Sequence, residues 1–188
     1  MSDDRARWEA RYSAQVGGAG VASPFVADAL GRIGPPRGLA LDLAMGEGRH
    51  ALAAARAGWT VVGLDVSSTA AERVAAAAAA ERLPVRPLVA DALTFPFRTA
   101  AFGLVICSRY LERSLAPAIA ASLAPGGHLI FETFTTDQPA LGWGPRNPAY
   151  LLSPNELPAL FSALRIRRYE DRADPTLGAL ASLLAQRP

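Results

Sequence analysis

Lysine is missing from this chain: all 19 basic residues are arginine. That excludes Schiff-base chemistry and the lysine of a phosphate-binding P-loop. Cysteine occurs once, at Cys107, which rules out an internal disulfide and a cysteine-built metal site. With only His50 and His128 there is no multi-histidine centre to expect either, so no metal is assigned. No uninterrupted apolar stretch is long enough to span a bilayer, and no membrane contact is expected. The opening MSDDRARWEARY is charged and lacks the apolar core of a signal peptide. A soluble, cytoplasmic protein is the expectation. Charge of one sign is also scarce. The formal net charge is +2, and the arginines are scattered apart from Arg165, Arg167 and Arg168. That pattern gives no reason to expect nucleic-acid binding.

What is present is apolar and punctuated. Of 188 residues, 51% are hydrophobic and 19% charged, which suits one globular domain with a sizeable core. Residues 3 to 15 read as a short amphipathic helix with Asp3 or Asp4 as cap and Trp8 and Tyr12 on one face. QVGGAGVASP follows as a link. Ser23 then Pro24 is a strong helix start, and GPPRG ends that helix. Strands and helices then alternate. GLALDLA (38–44), WTVVGLD (59–65), VRPLVA (85–90), AFGLVICS (101–108) and HLIFETF (128–134) read as strands. Residues 48–57, a stretch capped by Ser67 or Ser68 and ending at Arg82, and residues 113–123 read as helices. Such alternation with short links means an α/β fold, a mostly parallel sheet with helices on both faces. After residue 135 the pattern changes to a long proline-rich aromatic stretch. Ser153 with Glu156 is a capping-box signal for a helix at 154–163. LRIRRYEDR and GALASLLAQR flank a turn at 173–175 and read as an antiparallel pair at the end of the sheet, completing seven strands.

Open parallel sheets bind ligands at the carboxyl ends of their strands. LDLAMGEGRH (41–50) places Gly46 and Gly48 there, after Asp42. Glycines so spaced let a backbone approach a ligand. Through Gly46, Gly48 and Ala51 the stretch also fits a loose dinucleotide fingerprint. Asp65, at the end of the second strand, suits the two hydroxyls of a ribose. Asp91, after the third, suits an adenine amino group, with Ala92 and Leu93 covering the ring. Glu47 and Asp42 oppose a pyrophosphate, by an energy on the order of several kcal/mol in a partly dry site. S-adenosylmethionine (SAM) has no phosphate, carries a sulfonium and an ammonium, and brings an adenosine. It fits the loop better than a nicotinamide dinucleotide.

These residues resemble the class I SAM-dependent methyltransferases: D-x-A-x-G-x-G at 42–48, Asp65, V-A-D-A at 89–92 and P-G-G at 125–127. More narrowly, W-E-A-R-Y (8–12), G-E-G-R-H (46–50), R-Y-L-E-R (109–113), E-T-F-T (132–135) and R-N-P-A-Y-L-L-S-P-N-E-L (146–157) look like the tellurite-resistance (TehB-like) methyltransferase group. The resemblance implies a Rossmann-like methyltransferase fold over a single domain, 1–188. Residues 1–37 would supply N-terminal helices and a lid, 38–134 the cofactor core, and 135–188 the substrate loop, a helix and the terminal strands. It implies SAM as cofactor, S-adenosylhomocysteine as product and a small-molecule acceptor of anionic, thiol or chalcogen type. Cofactor contacts are expected from Trp8, Arg11, Tyr12, Asp42, Ala44, Gly46, Gly48, Arg49, Asp65, Val66, Asp91, Ala92, Leu93 and Cys107. Substrate-facing candidates are Arg109, Tyr110, Thr133, Trp143, Arg146, Asn147 and Tyr150. His50 and His128 are read as structural. Three positions depart from the family pattern. Ala44 and Met45 replace a glycine and a cysteine, and Gly103 replaces an acid. Ala44 fits if the backbone there needs no positive φ; Gly103 is expected to bear on packing, not chemistry. Two rival readings stay open: a degenerate fold that binds SAM or a partner without turnover, and an NAD(P)-dependent oxidoreductase.

Overall fold

The computed structural model describes residues 2–14 and 18–188. The side chains of Asp3 and Asp4, and with them the expected cap, lie outside the described residues, as does part of the link after the first helix. Seven strands form one sheet in the order β3-β2-β1-β4-β5-β7-β6. They are β1 (Leu39–Leu43), β2 (Thr60–Asp65), β3 (Val85–Val89), β4 (Phe102–Ser108), β5 (Leu123–Phe134), β6 (Arg165–Asp174) and β7 (Gly178–Gln186). The first five pair in parallel, while β7 runs antiparallel to both β5 and β6. The chain order reverses between β1 and β4, so the crevice expected of a doubly wound sheet opens there.

Alternation along each strand builds two cores. Leu104, Ile106, Ala40, Val61, Ile130 and Leu184 face α2 (Pro24–Arg32) and α3 (Arg49–Arg56), which contribute Val26, Ala29, Ala51 and Ala54. Their neighbours Leu41, Leu43, Val105, Cys107, Leu129, Phe131 and Leu183 face the other way. They pack against Ile119 of α5 (Ala116–Ser122) and Leu157 of α6 (Glu156–Leu160). The alanine tract of α4 (Ser68–Glu81) buries Ala70, Ala71, Val74 and Ala78. Small side chains let that helix lie close to the sheet without a propensity cost. The caps are those the sequence announces. The hydroxyls of Ser23 and Ser67 accept from the N–H groups of Val26 and Ala70.

Three boundaries differ from expectation. The helix expected at 113–123 begins as a 3-10 turn, Arg113–Leu115, because Pro117 suits only the first turn of α5, which runs from Ala116. The strand expected at 128–134 starts at Leu123, and the APGG turn is an irregularity inside β5, where the pairing with β4 shifts between Phe102 and Leu104. The helix expected at 154–163 spans only Glu156–Leu160, since Asn155 sits in the left-handed region at φ 60°. Half of the capping box forms there: the Glu156 carboxylate accepts from Ser153 N–H at 2.8 Å. The same carboxylate binds the Arg113 guanidinium, which also donates to Ala149 O and Leu151 O. Arg113 thus pins the segment that follows β5. No helix among the described residues is long and apolar enough to cross a membrane.

Candidate functional site

The loop between β1 and α3 is a chain of left-handed residues. Ala44 (φ 55°), Gly46 (φ 53°) and Gly48 (φ 78°) all have positive φ. Gly48 is the N-cap of α3, and a Cβ there would lie 2.6 Å from Val74 Cγ2. The loop therefore lies against α4 as closely as a backbone can. Ala44 does not meet the condition set for it, since it takes the strained conformation with a methyl group attached. Met45 is not a loop residue in the packing sense. It is buried against Ala71 and Val74, and its N–H donates to Leu64 O at 3.0 Å. Gly103 lies far from this crevice. A Cβ there would sit 1.7 Å from Arg37 O and 3.1 Å from Trp59, so no side chain fits. Its role is packing, as expected.

Asp65 ties the loop to β2. One carboxylate oxygen accepts from Gly46 N–H at 2.8 Å and the other from Ser67 N–H at 3.0 Å. The group is buried, and burial raises its pKa despite those bonds. Asp42 is still more enclosed, at 1% exposure, and its Oδ2 has no hydrogen-bond partner among the described residues. Burial pushes its pKa up to about 7, opposed by the Ala51 N–H and the charge of Arg49. Asp91, at the end of β3, is half-buried and forms an Asx turn to Leu93 N–H at 2.9 Å. Ala92 is buried and Leu93 is 52% exposed. Val66 is half-buried between Asp65 and Ser67. Cys107 reaches the row only through its backbone. Its side chain is in the core, where burial raises the thiol pKa well above its usual value.

The helix α1 (Ser2–Ala14) lies over this row. A Cβ on Gly46 would stand 2.6 Å from the Tyr12 hydroxyl, so that phenol rests directly on the loop. Burial, and then the charge of Asp65, push the Tyr12 pKa up to about 12. Glu9 holds the first turn of α4 through Ser68 Oγ, Thr69 N–H and Thr69 Oγ1. Trp8 stacks on Tyr12 with centroids 5.8 Å apart, and the Arg11 guanidinium lies over Trp8. Arg7 lies between Trp8 and Tyr150, so α1 also reaches the segment after β5.

Of the substrate candidates, Arg109 takes φ 57° and lies over Phe134, donating to Leu177 O at 3.2 Å. Tyr110 is half-buried and Thr133 is buried in the sheet. The side chain of Asn147 caps a 3-10 turn at Pro148–Tyr150. Trp143 donates to Pro175 O at 3.0 Å, and Arg146 is exposed. Arg109 and Arg49 are brought together: both line one hollow, Arg49 weighs on the charge of Arg109, and Arg49 reaches Ser108 Oγ at 3.4 Å. Thr133, Arg146 and Asn147 do not join them. His50 is buried, and its Nε2 accepts from Ser23 N–H at 3.2 Å. Burial first, then Arg49 and Arg109, lower its pKa to about 3, so it stays neutral and anchors the start of α2. Two residues outside the candidate set matter here, Glu132 and Ser182. An acid inside the apolar run HLIFETF was the available signal. Ser182 carried none. Among the described residues, no group of three or more histidines, cysteines or acids is placed to hold a metal ion.

Residues 40–127 match the family model of a methyltransferase domain. That segment is somewhat under half the chain and holds the whole loop, Asp65 and Asp91. No curated protein matches in sequence. Among solved structures the fold is similar to a protein from a study of the conversion of a disulfide bond into a thioacetal group during echinomycin biosynthesis. That pair is 24% identical with a TM-score of 0.77, over 98% of this chain and 92% of the other. TehB from Haemophilus influenzae is 18% identical with a TM-score of 0.73, over 96% of this chain and 67% of that one. Geranyl diphosphate C-methyltransferase from Streptomyces coelicolor A3(2), solved with S-adenosylhomocysteine, is 21% identical with a TM-score of 0.66, over 87% and 76%. The fold is the Rossmann-like methyltransferase fold.

Proposed function

We propose that the protein transfers a methyl group from SAM to a small-molecule acceptor in the cytoplasm. The carrying observation is Asp42: a carboxyl group at 1% exposure, with an unpartnered oxygen, just ahead of a loop of positive-φ residues. A cation beside it would favour the charged form that burial opposes. SAM carries two, while a dinucleotide would bring two negative charges beside it. The match of residues 40–127 to a methyltransferase domain supports the same reading. Asp42, the backbone of 44–48, Asp65 and Val66 would hold the methionine and ribose portions, and Asp91 to Leu93 the adenine. Trp8, Arg11 and Tyr12 would cover them.

Bound SAM supplies an activated methyl group. The chain's task is then to hold the acceptor in line with it and exclude water, which α1 does by lying over the loop. The acceptor's lone pair forms the bond to the methyl carbon as the sulfonium–methyl bond breaks, and S-adenosylhomocysteine leaves. A neutral acceptor must also release a proton to a base or to water, whereas a soft anion, thiolate or chalcogen, has none to release. The likeness to the tellurite-resistance group puts such anions first among acceptors to screen.

Calorimetric titration with SAM, S-adenosylhomocysteine and NAD(H) tests the reading. Micromolar binding of the first two and none of the third is expected, with Asp65→Asn at least tenfold weaker. Binding of NAD(H) alone would overturn it. SAM binding without methyl transfer to any of a panel of thiols, chalcogen anions and small carboxylates would favour the degenerate fold.

A further inference from the structure

Beside the loop lies a hollow that shares only Arg49 with the expected cofactor contacts. A cavity of about 220 Å³ opens between the segment ahead of α2, the first residue of α3, and the ends of β4 to β7. It falls below the ~300–1,000 Å³ of pockets for drug-sized ligands, so its occupant is small. Phe25, Leu177 and Leu180 give it apolar walls. Glu132 lines it too, at 2% exposure. One Glu132 oxygen accepts from Ser182 Oγ at 3.2 Å, and the other, Oε1, has no hydrogen-bond partner among the described residues. A buried acceptor left in that state is costly, and native structures normally satisfy it with a ligand, water or ion.

The charges around it are sorted. Glu170 is held by Arg168, and the Asp174 carboxylate takes the N–H groups of Thr176 and Leu177. Arg109 and Arg49 also line the cavity. Burial first, then the like charge of Arg49, lower the Arg109 pKa, opposed by Glu132. Three arginines, Arg49, Arg109 and Arg172, thus line the same hollow as the buried Glu132 carboxyl group.

We infer that this cavity binds a small carboxylate that also carries a hydroxyl or amino hydrogen-bond donor. The donor meets Glu132 Oε1, the carboxylate meets Arg109 and Arg49, and an aliphatic body lies against Phe25 and Leu180. Guanidinium forks suit a planar carboxylate, and a site built to receive a donor rejects the analogue that lacks it. That this ligand is the methyl acceptor rests on the function proposed above; that it binds does not.

Amide NMR titration of the whole protein with three matched probes tests this: 2-hydroxy-4-methylpentanoate, 4-methylpentanoate and 4-methylpentan-2-ol. The hydroxy acid should bind at least tenfold tighter than either analogue, with shifts confined to residues around Glu132, Arg109 and 178–182. Glu132→Gln should cut the preference for the hydroxyl to below threefold. If that variant does not fold, Arg109→Gln serves: both carboxylates should weaken at least tenfold while the alcohol is unaffected. Equal binding of the three probes, or no localised shift, would overturn the inference. So would shifts centred on 44–48, or displacement by S-adenosylhomocysteine, because the arginines would then serve the cofactor's own carboxylate. If S-adenosylhomocysteine fails to bind at all while the hydroxy acid binds as expected, the cavity stands and only the methyl-transfer reading falls.

Discussion

Ala44 carries a strain that a single hydrogen would relieve. A left-handed alanine costs about 1–2 kcal/mol relative to its right-handed form. Glycine would remove that and add about 0.4–1 kcal/mol of unfolded-state entropy. Ala44→Gly should therefore stabilise the protein by about 0.5–1 kcal/mol, a rise in Tm of roughly 1–4 °C for a chain of this size. Calorimetry measures it, and SAM affinity should not fall. A loss of stability would mean that the methyl group packs to advantage. Residue identity in the loop was legible: glycines at 46 and 48 and acids at 42 and 65 announced a ligand crevice. Conformation was not. Nothing local tells an alanine that it will sit at φ 55°, because the loop path is set by Met45 packing under β2 and α4 and by Asp65 binding Gly46 N–H. Glu132 was visible as an acid at the end of the fifth strand, but its pairing was not. Its significance is the unpartnered oxygen, a property of surroundings assembled from β7 and the segment ahead of α2.

At the scale of elements, α1 docks on α4 and on the loop after β1. Glu9 grips the first turn of α4, and Tyr12 rests on Gly46. Hydrogen bonds from Thr69 and Ser67 hold the Glu9 pKa down to about 2, from 4.5. A carboxylate with a lowered pKa lends stability above its unfolded value and loses it as pH falls toward the folded one. Docking of α1 should thus weaken between pH 4.5 and 2. Glu9→Ala should mimic this at neutral pH, with faster amide exchange in residues 5–14 and in the first turn of α4 while the strands stay protected. Unchanged exchange in α1 would mean that the aromatic contacts suffice. Element types were readable because strand runs and cap residues are local signals. Ends were less so. The expected helix at 154–163 lost both flanks once Asn155 turned left-handed and the chain had to meet Arg113.

For the molecule as a whole, two buried groups pull stability in opposite directions along the pH axis. Asp42 has its pKa raised from 3.8 to about 7. Its contribution is full below 3.8 and is lost as pH climbs through 7. His50 is lowered from 6.5 to about 3; its contribution is full above 6.5 and is lost as pH falls toward 3. Between those limits the slopes offset, each by at most about 1.4 kcal/mol per pH unit. Chemical denaturation from pH 4 to 8 reads both slopes by difference from the parent protein, in which Asp65 and other acids titrate too. Relative to the parent, Asp42→Asn should tilt the profile upward with pH, and His50→Gln should tilt it downward. Parallel profiles for all three proteins would refute the assignment. The solitary cysteine gives a consequence of another kind. Cys107 lies in β4, at the middle of the sheet, with its thiol sealed in the core. An alkylating reagent can reach it only when that strand opens, so one covalent label counts openings of the molecule's centre. With no second thiol to confuse the count, the slowing of that labelling by any ligand measures the energy the ligand lends to the folded state.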